Sequence, residues 1–407
     1  MYLATLLSLT SLATASLATP PSPHPNSHQK TCTVHPLGSN NDDVPNILSA
    51  FRACNHGGRV IFPENETYWI ASRLNPRLSD VEIEWRGTWL VFFLYLGKFR
   101  RALTGKGIRI DGHGTGSING NGDLWYTDEA GTTQPGRPMP FVLWNISDTQ
   151  VSNFAVDQPQ VWSINIMNGQ NMAFEDITVS VNATQTPEGE NWAQNTDGFD
   201  TMDVHNISLK NFAFTGGDDC IAIKPRSYHI RASNITCNGG NGIAIGSLGQ
   251  YIEDSGVEHV LIENARTLST KFGTYIKTWM GYLVDQGDSY ESAGEPRGGG
   301  WGVVRNITFR VFDVSGSTRA VVITQDNGDN EEADYKGTSK MEVSGVTFRG
   351  YSGVLGSNNE VTVSCSEVHP CFDIDFEGWD VTGADGGETT GNCTRTADGG
   401  VEGLEGC

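Results

Sequence analysis

The feature that most constrains the fold is a repeat of 22 residues in the middle of the chain. The segments DGFDTM from Asp197, DCIAIK from Asp219 and NGIAIG from Asn241 align, each with a polar residue, a small one and a short strand pattern. SINIM from Ser163 is an earlier member of the series and TYIKTW from Thr274 a later one. Short strands at this period, with Asn and Gly turns, are typical of a parallel β-helix. A β-sandwich with fortuitous spacing is the alternative.

The segment DDVPNILSAFRAC predicts a short N-terminal helix that covers the open end of the β-helix. Asp43 is the expected N-cap and Pro45 lies near the first turn. The apolar stripe of this helix consists of Val44, Ile47, Leu48 and Phe51. The expected fold is therefore an all-β single domain with one capping helix.

The N-terminal residues favour secretion. Residues 1–18 form an apolar segment with a small-x-small pattern, which predicts a secretory signal peptide and a mature domain over residues 19–407. An even number of cysteines fits an oxidising compartment and predicts local disulfides among Cys32, Cys54, Cys220, Cys237, Cys365, Cys371, Cys393 and Cys407. The seven glycosylation sequons begin at Asn65, Asn145, Asn182, Asn206, Asn234, Asn306 and Asn392.

The net charge of the chain is −21, which disfavours nucleic acid and anionic membranes as partners. Beyond the N-terminal segment, no apolar run is long enough to span a bilayer. The chain has neither a CxxC nor an HExxH motif, so we expect no structural metal and no cofactor.

Three aspartates converge in one cleft if the repeat is stacked coil on coil. They are Asp197 in NTDGFD, and Asp218 and Asp219 in GGDDC. When carboxylates are crowded together, one of them tends to keep its proton. A protonated carboxylic acid beside an ionised carboxylate is the pair of groups that catalyses glycoside hydrolysis. A Ca²⁺ site, lyase chemistry and aspartates that merely cap turns are the alternatives from spacing alone.

These motifs resemble glycoside hydrolase family 28, the fungal polygalacturonases and related pectin hydrolases. NTDGFD, GGDDCIAIK, GGNGIAIGSLG and YIKTW occur in the order of that family, and the secreted fungal exo-acting members are most similar. The resemblance implies a right-handed parallel β-helix and hydrolysis with inversion. It also implies that Asp218 is the general acid, and that Asp197 and Asp219 position and deprotonate the attacking water.

The chain departs from that family at two positions of the cleft. Asn241 stands where the family usually has a histidine, and Tyr275 stands where it has an arginine that grips a galacturonate carboxylate. In the family this arginine acts together with a lysine two residues later, and Lys277 is the one cation of that pair that this chain keeps. We expect Asn195, Asn241, Tyr275 and Lys277 to contact the substrate.

The expected function is that of an exo-polygalacturonase, which releases galacturonic acid from the non-reducing end of homogalacturonan. The expected partner is a pectic polysaccharide or oligosaccharide, and the expected form is an extracellular monomer. The alternatives are release of terminal rhamnose from rhamnogalacturonan, a lyase on the same scaffold and a non-catalytic carbohydrate-binding β-helix.

Residues 90–105 combine an apolar run with three basic residues, which we interpret as a wrongly joined exon, with a divergent strand as the alternative.

Overall fold

The computed structural model describes residues 29–91, 102–132, 136–286, 295–328 and 333–407. The expected signal peptide, residues 1–18, lies outside this part of the chain. Residues 92–101, most of the segment interpreted as a wrongly joined exon, also lie outside it.

Strands dominate the described residues. The helices are α1 (Val44–Cys54), α2 (Gly122–Glu129) and a short 3₁₀ helix (Ala333–Tyr335). The strands, in chain order, are β1 (Thr31–Thr33), β2 (Arg59–Phe62), β3 (Thr67–Ile70), β4 (Arg77–Trp85), β5 (Thr88–Val91), β6 (Ala102–Asp111), β7 (Ser117–Asn119), β8 (Phe141–Asp157), β9 (Ile164–Ser180), β10 (Phe199–Thr215), β11 (Asp219–Ile223), β12 (Ser227–Asn238), β13 (Gly242–Leu248), β14 (Val257–Leu268), β15 (Phe272–Trp279), β16 (Trp301–Asp313), β17 (Arg319–Asn327), β18 (Lys340–Val354), β19 (Val361–Ser364), β20 (Phe372–Glu377), β21 (Asp380–Thr382), β22 (Gly391–Thr394) and β23 (Val401–Glu402).

The strands form a right-handed parallel β-helix, which confirms the predicted fold. The strands of the central coils each pair in parallel with the strand one coil earlier and the strand one coil later. One face, here called the site sheet, consists of the N-terminal parts of β8, β9 and β10, followed by β11, β13, β15, β17, β19 and β22. It presents its outer surface to the candidate active site.

The predicted repeat gives the correct register for the apolar residues of the strands, although a register shift pairs Asp219 with Gly242 instead of Asn241. Phe199 pairs with Ile221, and Ile221 with Ile243, each 22 residues further along the chain. Ile164 lies one coil before Phe199 and Thr274 one coil after Ile243, although the connections there are longer. The turns therefore absorb insertions, while the strands keep their stacking.

Asparagines at the corners explain four of the sequons. Asn145, Asn206, Asn234 and Asn306 have positive φ and precede an isoleucine that enters the core. The Asn234 amide, for example, donates to Asn211 Oδ1 one coil earlier at 2.9 Å. These Asn-Ile-Ser/Thr triplets are thus corners of the solenoid, and all seven sequon asparagines are exposed. Whether any carries a glycan stays a prediction.

The core is a column of apolar side chains inside the coils. Phe309, Phe348 and Phe376 stack ring on ring, with centroids 5.4 and 4.9 Å apart, because parallel strands in register place equivalent residues one above another. The chain also forms four local disulfides, Cys32–Cys54, Cys220–Cys237, Cys365–Cys371 and Cys393–Cys407, whose pairing the sequence left open.

The capping helix is present as α1, and it packs against β1 and β2 at the N-terminal end of the solenoid. Asp43 occupies the N-cap position, but its carboxylate makes no capping hydrogen bond. Instead it accepts hydrogen bonds from the backbone N–H groups of Leu37 and Trp69, both at 2.7 Å, which ties the helix to the neighbouring coil.

The second helix, α2, is not predicted from the sequence pattern. No helix in the described ranges has the length and apolar character needed to cross a membrane.

Candidate active site

The structure brings the three predicted aspartates together on the site sheet. Asp197 lies two residues before β10, while Asp218 directly precedes β11 and Asp219 begins it, one coil later. One carboxylate oxygen from each lies within 4.8 Å of the other two. Asp197 and Asp219 are only 3% and 1% exposed, whereas Asp218 is partly exposed and accessible from the cleft.

Three donors orient the Asp218 carboxylate. Its Oδ2 accepts the backbone N–H of Asn195 at 2.7 Å, and its Oδ1 accepts Asn241 Nδ2 at 2.9 Å and the Asp219 N–H at 2.8 Å. Burial and the neighbouring Asp219 carboxylate raise the pKa of Asp218, although Lys277 and the backbone donors act in the opposite direction. Asn195 and Asn241, two of the predicted substrate-binding residues, therefore fix the orientation of Asp218, the predicted general acid.

Glycines permit the close approach of Asn241 to Asp218. Gly240 and Gly242, on either side of Asn241, have φ of +72° and +87°. A Cβ on Gly240 would lie 2.2 Å from the Asp218 carbonyl oxygen, and one on Gly242 would lie 1.8 Å from that of Phe272. The glycine-rich segment is thus the third coil of the cleft, as predicted.

Two lysines neutralise part of the carboxylate charge. Lys277 Nζ donates to Asp219 Oδ2 at 2.9 Å, and Lys224 Nζ donates to Asp197 Oδ2 at 3.3 Å. Burial lowers the pKa of each lysine, but the surrounding carboxylates outweigh it and raise the pKa overall. The Tyr275 ring lies beneath Lys277, with 4.7 Å between Nζ and the ring centroid. Lys277 therefore pairs with Asp219, one of the three clustered aspartates, and packs on the Tyr275 ring.

A fourth carboxyl group, Asp200, lies behind Asp197 and is missed by the sequence analysis. It is 1% exposed, and Lys224 Nζ lies 3.7 Å from its Oδ1. Burial raises the pKa of Asp200 to about 7, and Lys224 opposes this rise. The repeat contained a signal, because Ala222 and Ala244 occupy the same position in the next two coils. A buried carboxyl group at a position that holds Asn165 in the preceding coil and alanine in the next two is unusual and indicates a special role.

Trp162 is a second residue that the motifs do not reveal. Lys224 Nζ lies 4.2 Å from the centroid of its ring, and the contact confines the ammonium group next to Asp197. Trp162 precedes the SINIM segment, so only stacking of the coils brings it close to a lysine 62 positions later.

The cluster of three aspartates also has the ligand types that Ca²⁺ prefers. However, the ammonium groups of Lys224 and Lys277 already contact two of these carboxylates. A divalent cation between them would be repelled by both lysines. The charges of this site thus favour acid–base chemistry over metal binding.

Comparison with known proteins places this geometry among carbohydrate-active enzymes. The family model described as "Glycosyl hydrolases family 28" matches residues 59–401. A protein from Aspergillus niger, provisionally named galacturan 1,4-alpha-galacturonidase C, is 51% identical over 94% of this chain and 94% of its own length. An exopolygalacturonase from Cochliobolus carbonum is 31% identical over 92% of this chain and 88% of its own length.

A solved structure supports the fold. The endo-xylogalacturonan hydrolase from Aspergillus tubingensis superposes with a TM-score of 0.79, covering 92% of this chain and all of that one, at 24% identity. At this identity the likeness concerns the β-helix architecture alone.

Proposed function

The chain belongs to family 28 of the glycosyl hydrolases, and on that premise we propose that it releases galacturonic acid from the non-reducing end of homogalacturonan. It is a glycoside hydrolase of the exo-polygalacturonase type. The observation that carries this proposal is the cleft in which Asp197, Asp218 and Asp219 meet. The strong similarity to a protein named for galacturonidase activity supports it.

In the proposed mechanism Asp218 protonates the glycosidic oxygen of the leaving group. Its raised pKa favours a bound proton at mildly acid pH, and its partial exposure lets it reach the substrate. Asn241 and the backbone of Asn195 fix the orientation of this carboxyl group. Asn241 thereby supplies a hydrogen bond, but no titratable group, beside the acid.

Asp197 and Asp219 are proposed to position the attacking water and to accept its proton. Burial, and then the Asp200 carboxylate, raise the pKa of Asp197, so that its ionised form accepts a proton from water more readily. The proposal of inversion rests on family membership. The two catalytic carboxyl groups are closer together in retaining than in inverting glycosidases, so the short distance between these carboxylates favours retention instead. The stereochemistry of the product is therefore a decisive measurement.

Recognition of the substrate carboxylate is assigned to Lys277, with Tyr275 beside it. Lys277 keeps its charge because the acidic neighbours raise its pKa. Tyr275 offers a hydroxyl group and a ring that packs on Phe272, with 4.5 Å between the ring centroids, and that contacts Lys277. Release of terminal rhamnose, the alternative suggested by these substitutions, finds no support in relatives named for galacturonidase and exopolygalacturonase activity.

Product analysis tests the proposal. The protein is incubated with homogalacturonan oligomers labelled at the reducing end and, separately, with rhamnogalacturonan oligomers that carry a terminal rhamnose. We expect free galacturonic acid and labelled chains that shorten by one residue at a time. Proton NMR of the first product formed should show the β-anomer if the α-linkage is hydrolysed with inversion.

Asp218→Asn is the matched variant, because the amide keeps the shape of the side chain but cannot supply the proton. Its kcat should fall by about a thousandfold or more, given the usual contribution of a general acid. Free rhamnose alone, internal cleavage of the chain, or an unsaturated product that absorbs ultraviolet light would each contradict the proposed activity.

Secretion is part of the same proposal. The apolar N-terminal segment and the four disulfides support it, since disulfides persist in oxidising compartments. N-terminal sequencing of protein from the culture medium should give a mature start near residue 19.

A further inference from the structure

A long groove runs along the corner of the solenoid next to the site sheet, and it has no role in the mechanism above. This corner groove crosses six successive strands, β4, β6, β8, β9, β10 and β12, and has a volume of about 910 Å³. Its lining includes Arg77, Lys106, Trp144, Gln170, His205 and Arg226. Since parallel strands lie about 4.8 Å apart, the groove is about 24 Å long, enough for several sugar units.

The corner groove is close to the catalytic cleft but separate from it. Strand β10 carries Asp200 in the cleft and, three residues later, Asp203 in the groove. Three residues of a strand span about 10 Å, and the corner at Asp203 turns the chain between the two surfaces. A polysaccharide held in the groove therefore lies beside the active site rather than in it.

The charge of the groove is positive, in contrast to the acidic protein as a whole. Arg77 and Lys106 are exposed at neighbouring strands and form no ion pair with an acidic side chain of the described residues. Asp203, the acidic residue of the lining, accepts hydrogen bonds from Arg226 on both of its oxygens. The remaining cations can therefore attract an anionic ligand despite a net charge of −21.

The groove also offers an apolar surface. Trp144 is 48% exposed and belongs to its lining, alongside the polar side chains of Gln170 and His205. A large exposed ring with a polar rim is a common mark of a ligand-binding groove. Sugars have apolar C–H faces and polar edges, which match this combination, while the cations match the carboxylates of uronic acids.

We propose that the corner groove, in protein that carries no glycan on the lining residue Asn145, is a second binding site for the galacturonan chain, which holds the polymer close to the catalytic cleft. This inference rests on the proposed function, since it takes its ligand from it. Trp144 packs against a sugar face, and Arg77 and Lys106 pair with uronate carboxylates. The groove contributes to capture of long chains and not to hydrolysis of short ones, because an oligomer whose units are bound in the cleft has none left to place in the groove.

Kinetics on two substrate lengths tests the proposal. Trp144→Ala and the double variant Arg77→Ala/Lys106→Ala are compared with the wild type on polygalacturonate and on trigalacturonate. The KM for the polymer should rise by about threefold for each cation removed, as expected for exposed charge pairs, and the effect should shrink at high salt. The kcat for both substrates and the KM for the trimer should not change.

Arg231→Ala is the matched control, since Arg231 is also exposed and lies on β12 outside the groove. It should leave the KM for the polymer unchanged. The proposal is overturned if the groove variants and Arg231→Ala bind and hydrolyse the polymer like the wild type.

Binding of fluorescently labelled polygalacturonate to Asp218→Asn, with and without the groove substitutions, keeps the two proposals distinguishable. If the wild type releases no galacturonic acid, the proposed function fails, yet polymer binding lost with the groove residues would still support the site. Release of galacturonic acid with polymer binding that does not depend on the groove would overturn the second site alone.

Discussion

Asp200 gives the site a pH dependence of stability that can be measured without substrate. The carboxyl group is 1% exposed, and its nearest cation, Lys224 Nζ, lies 3.7 Å away and also contacts Asp197. Burial raises the pKa of Asp200 from 3.8 to about 7, with Lys224 acting against it. We expect Asp200→Asn to make the folded protein less sensitive to rising pH.

The sign and size of the effect follow from this pKa. A carboxyl group whose pKa is higher in the folded than in the unfolded state favours folding at low pH, and this advantage is lost as the pH rises through the folded value. One pKa unit corresponds to about 1.4 kcal/mol, so ionisation of Asp200 costs the folded protein about 4 kcal/mol relative to the unfolded chain. Between about pH 4.5 and about pH 8 the loss amounts to about 3 kcal/mol.

Equilibrium unfolding in guanidinium chloride, followed by tryptophan fluorescence at both pH values, measures this loss. The wild type should lose stability as the pH rises, and Asp200→Asn should lose about 3 kcal/mol less. Asp148→Asn is the control, because Asp148 is exposed and an asparagine there can still accept the hydrogen bond from Asn171. The reasoning is refuted if Asp200→Asn and the wild type lose the same free energy over this range.

Two further predictions concern the disulfides and metal dependence. Replacing Cys220 and Cys237 by alanine should lower the free energy of unfolding by about 3 kcal/mol and also reduce kcat, because the bridge anchors the residue after Asp219. Replacing Cys393 and Cys407 should destabilise the protein but leave kcat unchanged in the assay for galacturonic acid; equal kcat losses in both pairs would contradict this local role. Activity should also survive dialysis against EDTA, since lysines neutralise the aspartates, and restoration of a lost activity by added Ca²⁺ would show that a metal is needed.

Much of the fold could be predicted because the solenoid has a periodic sequence. The 22-residue offset of the apolar segments is the strand register itself, and a slip of one residue would turn Ile221 and Ile243 out of the core. Spacing alone also predicted that Asp197 and Asp219 lie one coil apart. In contrast, Asp43 has the right position for an N-cap but bonds to other segments, because tertiary neighbours compete for its carboxylate.

The sequence by itself thus determined the coil stacking and the convergence of the aspartates, since each depends on short spacings or on a repeated period. It indicated local disulfides, but only the structure decided their pairing. Only the tertiary structure decided which side chains complete the site. Lys277 reaches Asp219 across 58 positions of the chain, and Trp162 reaches Lys224 across 62. The corner groove likewise combines residues from six strands. Such contacts depend on turns of unequal length and on side-chain directions, which no local pattern encodes.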